Sequence, residues 1–132
     1  MDLEILRIAS DTSNNKNLDP HTHFSESKNP ICGDVIQIKL IAKGSKVSDF
    51  AYQGKSCVYC QATACLLAKT SKNKSFKKIN ELCNDAKSFF NNENKIFNEK
   101  WSSFNKLFNK KNLSRKECIL LPFKTLQKIV SQ

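Results

Sequence analysis

Alternation of apolar and polar residues over 35–53, broken once by a glycine turn, constrains this chain more than any other feature. Ile36, Ile38 and Leu40 fall on one face of the first half, with Gln37 and Lys39 on the other. Residues 35–41 therefore read as a half-buried strand. Lys43-Gly44-Ser45-Lys46 is a turn signal, and 47–53, with Phe50 and Tyr52, reads as the returning strand. An antiparallel hairpin brings both of its outer ends to one edge of a sheet. The upstream end carries Asn29-Pro30-Ile31-Cys32-Gly33-Asp34, and the downstream end runs through Gly54-Lys55-Ser56 to Cys57. Cys32, Asp34 and Cys57 are thus predicted to be neighbours in space.

The rest of the chain reads as helices around that hairpin. Residues 2–9 have clustered apolar residues and predict a short helix. Residues 10–30 are polar and predict a loop, with one edge strand near 22–27. The segment 57–70 is rich in Ala, Leu and Cys without Gly or Pro, and predicts a helix with Ser56 as its N-cap. Ser75 is placed to cap a second helix, with Phe76, Ile79, Leu82, Cys83 and Ala86 at helical spacing. Phe97, Trp101, Phe104 and Phe108 mark a third apolar stripe, read as core rather than as a platform for stacking bases. A last helix is predicted to start near Cys118, with Pro122 in its opening turn and Leu126, Ile129 and Val130 on its buried face. The expected fold class is α+β: a small antiparallel β-sheet packed against several helices, with a metal site at one sheet edge. The 132 residues are expected to form a single domain, with 1–27 as an N-terminal helix and polar leader and 28–132 as the core.

Cysteine usage and charge narrow the function. No apolar run approaches the ~20 residues that span a bilayer, and the segment Met1-Asp2-Leu3-Glu4-Ile5-Leu6-Arg7 is acidic and too short in its apolar part for a secretory signal. A cytoplasmic location is expected, so the six cysteines are read as reduced thiols rather than as a disulfide framework. The net charge of +10 is uneven: residues 1–68 hold seven Lys/Arg and seven Asp/Glu, whereas 69–116 hold thirteen against four. A basic half invites a nucleic-acid reading. The segment is also rich in Asn and carries no nucleic-acid motif, so solvated helix faces, or faces that meet an acidic protein partner, are the better account.

Three thiols and one carboxylate carry the candidate chemistry. Cys57 and Cys118 each open a predicted helix, where the partial positive charge of the N-terminus favours a thiolate. Cys32 and Asp34 flank Gly33, which permits a tight or left-handed backbone between two ligands. Together Cys32, Asp34, Cys57 and Cys118 make a tetrahedral set suited to Zn²⁺ or to an iron–sulfur fragment. Cys57-x-x-Cys60 is half of a zinc or redox motif, but the chain holds no second pair. His21 and His23, as His-x-His, are read as surface histidines before metal ligands.

These residues carry a resemblance. Asn29-Pro30-Ile31-Cys32-Gly33-Asp34, then Phe50-Ala51-Tyr52-Gln53-Gly54-Lys55-Ser56-Cys57 and Ala62-Thr63-Ala64, resemble the U-type iron–sulfur cluster assembly family. That family comprises IscU, SufU and the N-terminal domain of NifU. Arg115-Lys116-Glu117-Cys118-Ile119-Leu120-Leu121 resembles its third cysteine motif. The interval of 61 positions from Cys57 to Cys118 and the arginine at 115 resemble the SufU subtype most. Glu117 stands where IscU has His and SufU usually has Lys. The resemblance implies zinc held by Cys32, Asp34, Cys57 and Cys118. It also implies persulfide sulfur accepted from a PLP-dependent cysteine desulfurase (SufS/NifS-like), for delivery to a downstream iron–sulfur scaffold or to apo-proteins. By the same resemblance Cys32 is the first choice of sulfur acceptor and Cys118 the runner-up, which leaves open whether the protein acts as a sulfurtransferase or as a non-catalytic scaffold. The IscU-like alternative is a [2Fe–2S] cluster assembled on the same ligands, Cys32, Cys57 and Cys118. Cys60, Cys65 and Cys83 are expected to be mostly structural. An alternative of another class is a basic, zinc-stabilised nucleic-acid-binding module.

Overall fold

The computed structural model describes residues 3–91 and 99–131. Three antiparallel strands form one sheet in the order β1-β2-β3: β1 is His23–Lys28, β2 Val35–Lys43 and β3 Lys46–Lys55. Alternation in β2 buries Ile36, Ile38 and Leu40, and the register sets Ile38 opposite Tyr52 and Leu40 opposite Phe50. The hairpin turn is two residues, with Gly44 in the left-handed region at φ 64°. The polar leader adds to the other side of β3: the Tyr52 N–H donates to the Asn14 carbonyl at 3.0 Å, and the Lys16 N–H to the Tyr52 carbonyl at 3.1 Å. The edge strand predicted near 22–27 is β1, paired along its whole length with β2.

Among the described residues there are four α-helices, α1 Leu3–Ala9, α2 Val58–Ser71, α3 Phe76–Asn91 and α4 Lys116–Val130, of which α2 and α4 lie against the sheet. α2 is nearly apolar all round and is buried along most of its length, which suits a central helix. It packs between α1 and α4, while α4 also lies on β1 and β2 and meets α3. Ser75 caps α3 as predicted, its Oγ accepting from the Lys78 N–H at 3.2 Å. None of the described helices is long and apolar enough to cross a membrane.

Two local expectations need correction. The N-cap of α2 is Cys57, not Ser56; Cys57 keeps an extended backbone (φ −71°, ψ 168°) and makes no side-chain cap bond. The aromatic stripe before α4 is core, as read, and its segment forms two 3₁₀ helices, Glu99–Lys106 and Lys110–Arg115. Trp101, Phe104 and Leu107 are buried at intervals of three, which matches three residues per turn. Phe108 joins them, and Phe97 lies outside the described residues. The second 3₁₀ segment runs straight into α4, so α4 begins at Lys116, before Cys118. Pro122 is therefore its seventh residue, inside the second turn. Having no amide hydrogen, it cannot donate to the Cys118 carbonyl four residues earlier.

Candidate metal centre

The ligand-bearing loop between β1 and β2 is tied by its own asparagine. Asn29 is buried, and its Oδ1 accepts from the Ile31 N–H at 3.0 Å, an Asx-type turn. Its backbone N–H donates to the Asp34 carbonyl, and its carbonyl accepts from the Gly33 N–H, both at 2.8 Å. Gly33 takes φ 80°, so the left-handed backbone expected between the two ligands is present. The sequence had placed Asn29 in the motif without a role. The signal was its position just before proline, where an Asx turn commonly starts.

That loop delivers two ligands and α4 delivers a third. Cys32 Sγ, an Asp34 carboxylate oxygen and Cys118 Sγ all lie within 4.8 Å of one another. Cys57 approaches from the far end of the hairpin, its backbone N–H donating to Asp34 Oδ2 at 3.3 Å, but its thiol is not one of the donors that lie within 4.8 Å of one another. Neither histidine belongs to the group. His21 Nδ1 lies 3.2 Å from the Leu18 carbonyl, and the His23 ring packs edge-on against Phe76. All six cysteines are free thiols, and Cys32 alone is exposed.

The electrostatics favour a cation at this point. Asp34 is buried at 8% exposure, and no Lys or Arg pairs with it among the described residues. A buried carboxylate without a cationic neighbour is costly. Burial is the main cause that pushes the Cys118 thiol far above its ordinary value, followed by Cys57 and then by the negative charges of Asp34 and Cys32. The helix N-terminus was expected to favour thiolate at Cys118. It does not prevail there, because Cys118 is already inside α4 and largely desolvated. A divalent cation bound by the group offsets the mutual repulsion and makes the thiolates stable. Cys32, Asp34 and Cys118 offer sulfur and carboxylate donors close enough together to hold one metal ion, a donor set that would suit Zn²⁺ or an iron–sulfur fragment.

The remaining cysteines sit apart or behind. Cys65 is buried, its thiol donating to the Asp11 carbonyl at 3.5 Å, and Cys83 is buried among apolar residues. Cys60 is fully buried but close to the centre. Burial pushes its thiol up to about 12, a hydrogen bond to Ser56 opposes this, and the charges of Asp34, Cys57 and Cys32 add to the rise. Arg115, at the entry to α4, lies over the Tyr59 ring at 5.5 Å and ties the start of α4 to the start of α2. The sequence marked Arg115 but gave no sign of its partner, because Tyr59 is 56 positions earlier.

The comparisons with known proteins agree with this architecture. A family model described as the NifU-like N-terminal domain matches residues 3–92. The iron–sulfur cluster assembly scaffold protein IscU of Thermotoga maritima is 30% identical over 130 residues, covering 97% of this chain and 90% of that protein. The crystal structure of a NifU-like protein (N-terminal) from Brucella abortus superposes with a TM-score of 0.84 at 19% identity, covering 98% of this chain and 91% of the other. FiSufU from Fervidobacterium islandicum AW-1, a candidate assembly scaffold protein for the SUF system, gives a TM-score of 0.84 at 22% identity, covering 98% and 96%. At these identities the two structures speak to the fold alone. The α+β architecture, the family model and the Thermotoga relative lead to one assignment: the chain belongs to the NifU-like N-terminal domain family.

Proposed function

We propose that this chain is an iron–sulfur cluster assembly protein of the SufU type, which holds Zn²⁺ through Cys32, Asp34, Cys57 and Cys118 and accepts persulfide sulfur at Cys32. The observation that carries this reading is the gathering of Cys32, Asp34 and Cys118 within 4.8 Å, with Cys32 the one exposed thiol of the six. An acceptor must be reached by another protein's persulfide, and the buried Cys118 is less open to such an approach. The Cys32 thiolate attacks the outer sulfur of a cysteine desulfurase persulfide. The S–S bond on the desulfurase breaks, its cysteine leaves as thiolate, and Cys32 becomes the persulfide. A downstream scaffold or apo-protein then receives that sulfur. When bound, zinc supplies Lewis acidity that keeps the site thiols deprotonated at neutral pH. Asp34, a harder ligand than thiolate, keeps the set labile.

Support for the SufU subtype comes from the long interval before Cys118 and from Arg115. A second reading, a scaffold that builds a [2Fe–2S] cluster on the same residues, is favoured by the likeness to the Thermotoga scaffold protein. One experiment separates them. The purified chain is analysed for metal, then incubated with a PLP-dependent cysteine desulfurase and ³⁵S-cysteine. One zinc per chain and label lost in Cys32→Ser support the first reading. Absence of zinc together with a stable [2Fe–2S] spectrum on anaerobic reconstitution would replace it with the second.

A further inference from the structure

Cys60 is a thiol that the proposed metal chemistry does not use, although it sits three residues after Cys57. Cys60 is fully buried, whereas Cys57 is half-buried. Cys57 also stands apart at the centre: the donors that gather within 4.8 Å are Cys32, Asp34 and Cys118, without its thiol. Cys57 and Cys60 form the single Cys-x-x-Cys of the sequence.

The start of α2 decides how these two side chains meet. Cys57 is the N-cap, outside the helix with an extended backbone, and Cys60 is the third helical residue. The Cys57 carbonyl accepts from the Gln61 N–H at 3.0 Å, which fixes that boundary. Side chains at these two positions face each other, and a capping box uses the same pair to bond reciprocally. A helical side chain leans back towards the N-terminus, so Cys60 points at the turn that carries Cys57. In keeping with that direction, Ser56 and Cys57 both act on the Cys60 thiol. The two residues are about one helical turn apart, ~5.4 Å, and a disulfide accepts Cα atoms ~4.4–6.8 Å apart. Cys60 and Cys65, both helical and five apart, point to different faces of α2. A bridge from Cys57 to Cys60 closes within one turn, whereas one from Cys32 to Cys118 would join the β1–β2 loop to α4.

We propose that Cys57 and Cys60 form a dithiol site that a small-molecule disulfide oxidises to an internal bridge, and that this bridge withdraws Cys57 from metal binding. The bridge rests on the geometry at the start of α2; its effect on zinc rests on the reading of Cys57 as a ligand. Of the two thiols, the half-buried Cys57 is the one that an oxidant reaches first. Its thiolate attacks one sulfur of the small disulfide. That S–S bond breaks, and one small thiolate leaves. Cys60 then attacks the Cys57 sulfur of the mixed disulfide, and the second small thiolate leaves. The two protons given up by Cys57 and Cys60 go to the two leaving thiolates. The protein pair is oxidised by two electrons, and the small disulfide is reduced to two thiols. An excess of small thiol runs the same steps backwards.

The full chain, as purified, is titrated with oxidised glutathione, quenched with an alkylating agent and digested with trypsin and chymotrypsin. Cleavage after Tyr59 separates Cys57 from Cys60, so only a disulfide holds those fragments together in the mass spectrum. The expected product is a Cys57–Cys60 bridge with no glutathione retained on either residue, opened again by reduced glutathione. Cys60→Ala should instead keep glutathione on Cys57, and Cys83→Ala should bridge as the parent does. Circular dichroism checks that Cys60→Ala folds, and the parent digest decides the bridge without it. Free Cys57 and Cys60 after oxidation, a bridge from Cys57 to Cys65 or Cys118, a Cys32–Cys118 bridge in place of the expected one, or a lasting glutathione adduct on parent Cys57 would overturn the site. A zinc indicator in the same titration reads the second half. One zinc should be released per bridge formed and taken up again on reduction. Zinc retained beside a complete bridge would overturn the withdrawal. A chain purified without zinc would sink both the withdrawal and the function proposed above, while the digest still decides the bridge.

Discussion

Gly54→Ala is expected to damage both the sheet and the metal centre. Gly54 sits at φ 152° opposite Ile36, two positions after Asp34. A Cβ there would lie 2.1 Å from the Val35 carbonyl oxygen and 3.0 Å from both the Val35 carbonyl carbon and Ile36 Cα. All three are backbone atoms, so no rotamer change relieves the clash. The Val35 oxygen would have to retreat by about 0.9 Å merely to reach 3.0 Å, and Val35 is bonded to Asp34. Strain at an unfavourable φ costs ~1–3 kcal/mol, and forcing atoms into a packed site ~1–3 kcal/mol more. A loss of about 2–6 kcal/mol is large against a typical total of ~5–15 kcal/mol. For a domain of this size it corresponds to a Tm lower by roughly 10 °C or more. Gly44→Ala is the control: φ is 64°, nothing lies within 4 Å of the added Cβ, and the cost should be only ~1–2 kcal/mol. Thermal melting by circular dichroism, with zinc per chain measured on the same samples, decides the matter. Equal melting temperatures for the two variants, or full zinc in Gly54→Ala, would refute the close approach of β3 to the Asp34 segment.

Cys57→Ser should lose zinc and thermal stability together, since binding and folding are coupled. Cys83→Ser should keep its zinc and lose ~1–3 kcal/mol from a hydroxyl buried among apolar side chains; metal analysis and melting separate the two cases. Asn29→Ala removes the Oδ1 that holds the Ile31 N–H and should cost ~1–2 kcal/mol. It should also speed zinc loss to a chelator, read by a colorimetric metal indicator. Stability of the metal-free chain should fall in alkali. Burial pushes the Cys83 thiol from 9.0 up to about 12 in the folded state, so its contribution is present below pH 9 and is lost as pH rises from 9 towards 12. Melting at about pH 10 should be lower than at about pH 7.5, with a smaller difference in Cys83→Ala.

The hairpin was legible because its signals agree at several levels: alternating Ile36, Ile38 and Leu40 on the first arm, a glycine turn, and Val47, Phe50 and Tyr52 on the second. Hairpin geometry alone then placed Cys57 beside Asp34, and the Cys57 N–H to Asp34 bond is its consequence. The contribution of Cys118 could not be derived so directly, since no local rule specifies which helix end meets a loop 84 positions earlier; the family resemblance supplied that link. The start of α4 was misplaced because Lys116 and Glu117 carry no cap signal, and a 3₁₀ segment leads into the helix without a break. Spacings of three and four are hard to tell apart in so short a stretch, which hid the 3₁₀ character of Glu99–Lys106. The pairing of residues 14–16 with Tyr52 left no trace at all, because a polar leader bonded through its backbone needs no apolar alternation.

The central claim is that one ion is held by three thiolates and one carboxylate, Cys32, Cys57, Cys118 and Asp34. X-ray absorption at the zinc edge, on protein purified without added metal, tests it most directly. The expected result is one zinc per chain with three sulfur neighbours at ~2.3 Å and one oxygen at ~2.0 Å, changing to a site with fewer sulfurs in Cys57→Ser. Four sulfur neighbours would bring the buried Cys60 into the set in place of Asp34. A shell of only nitrogen and oxygen would contradict the account altogether.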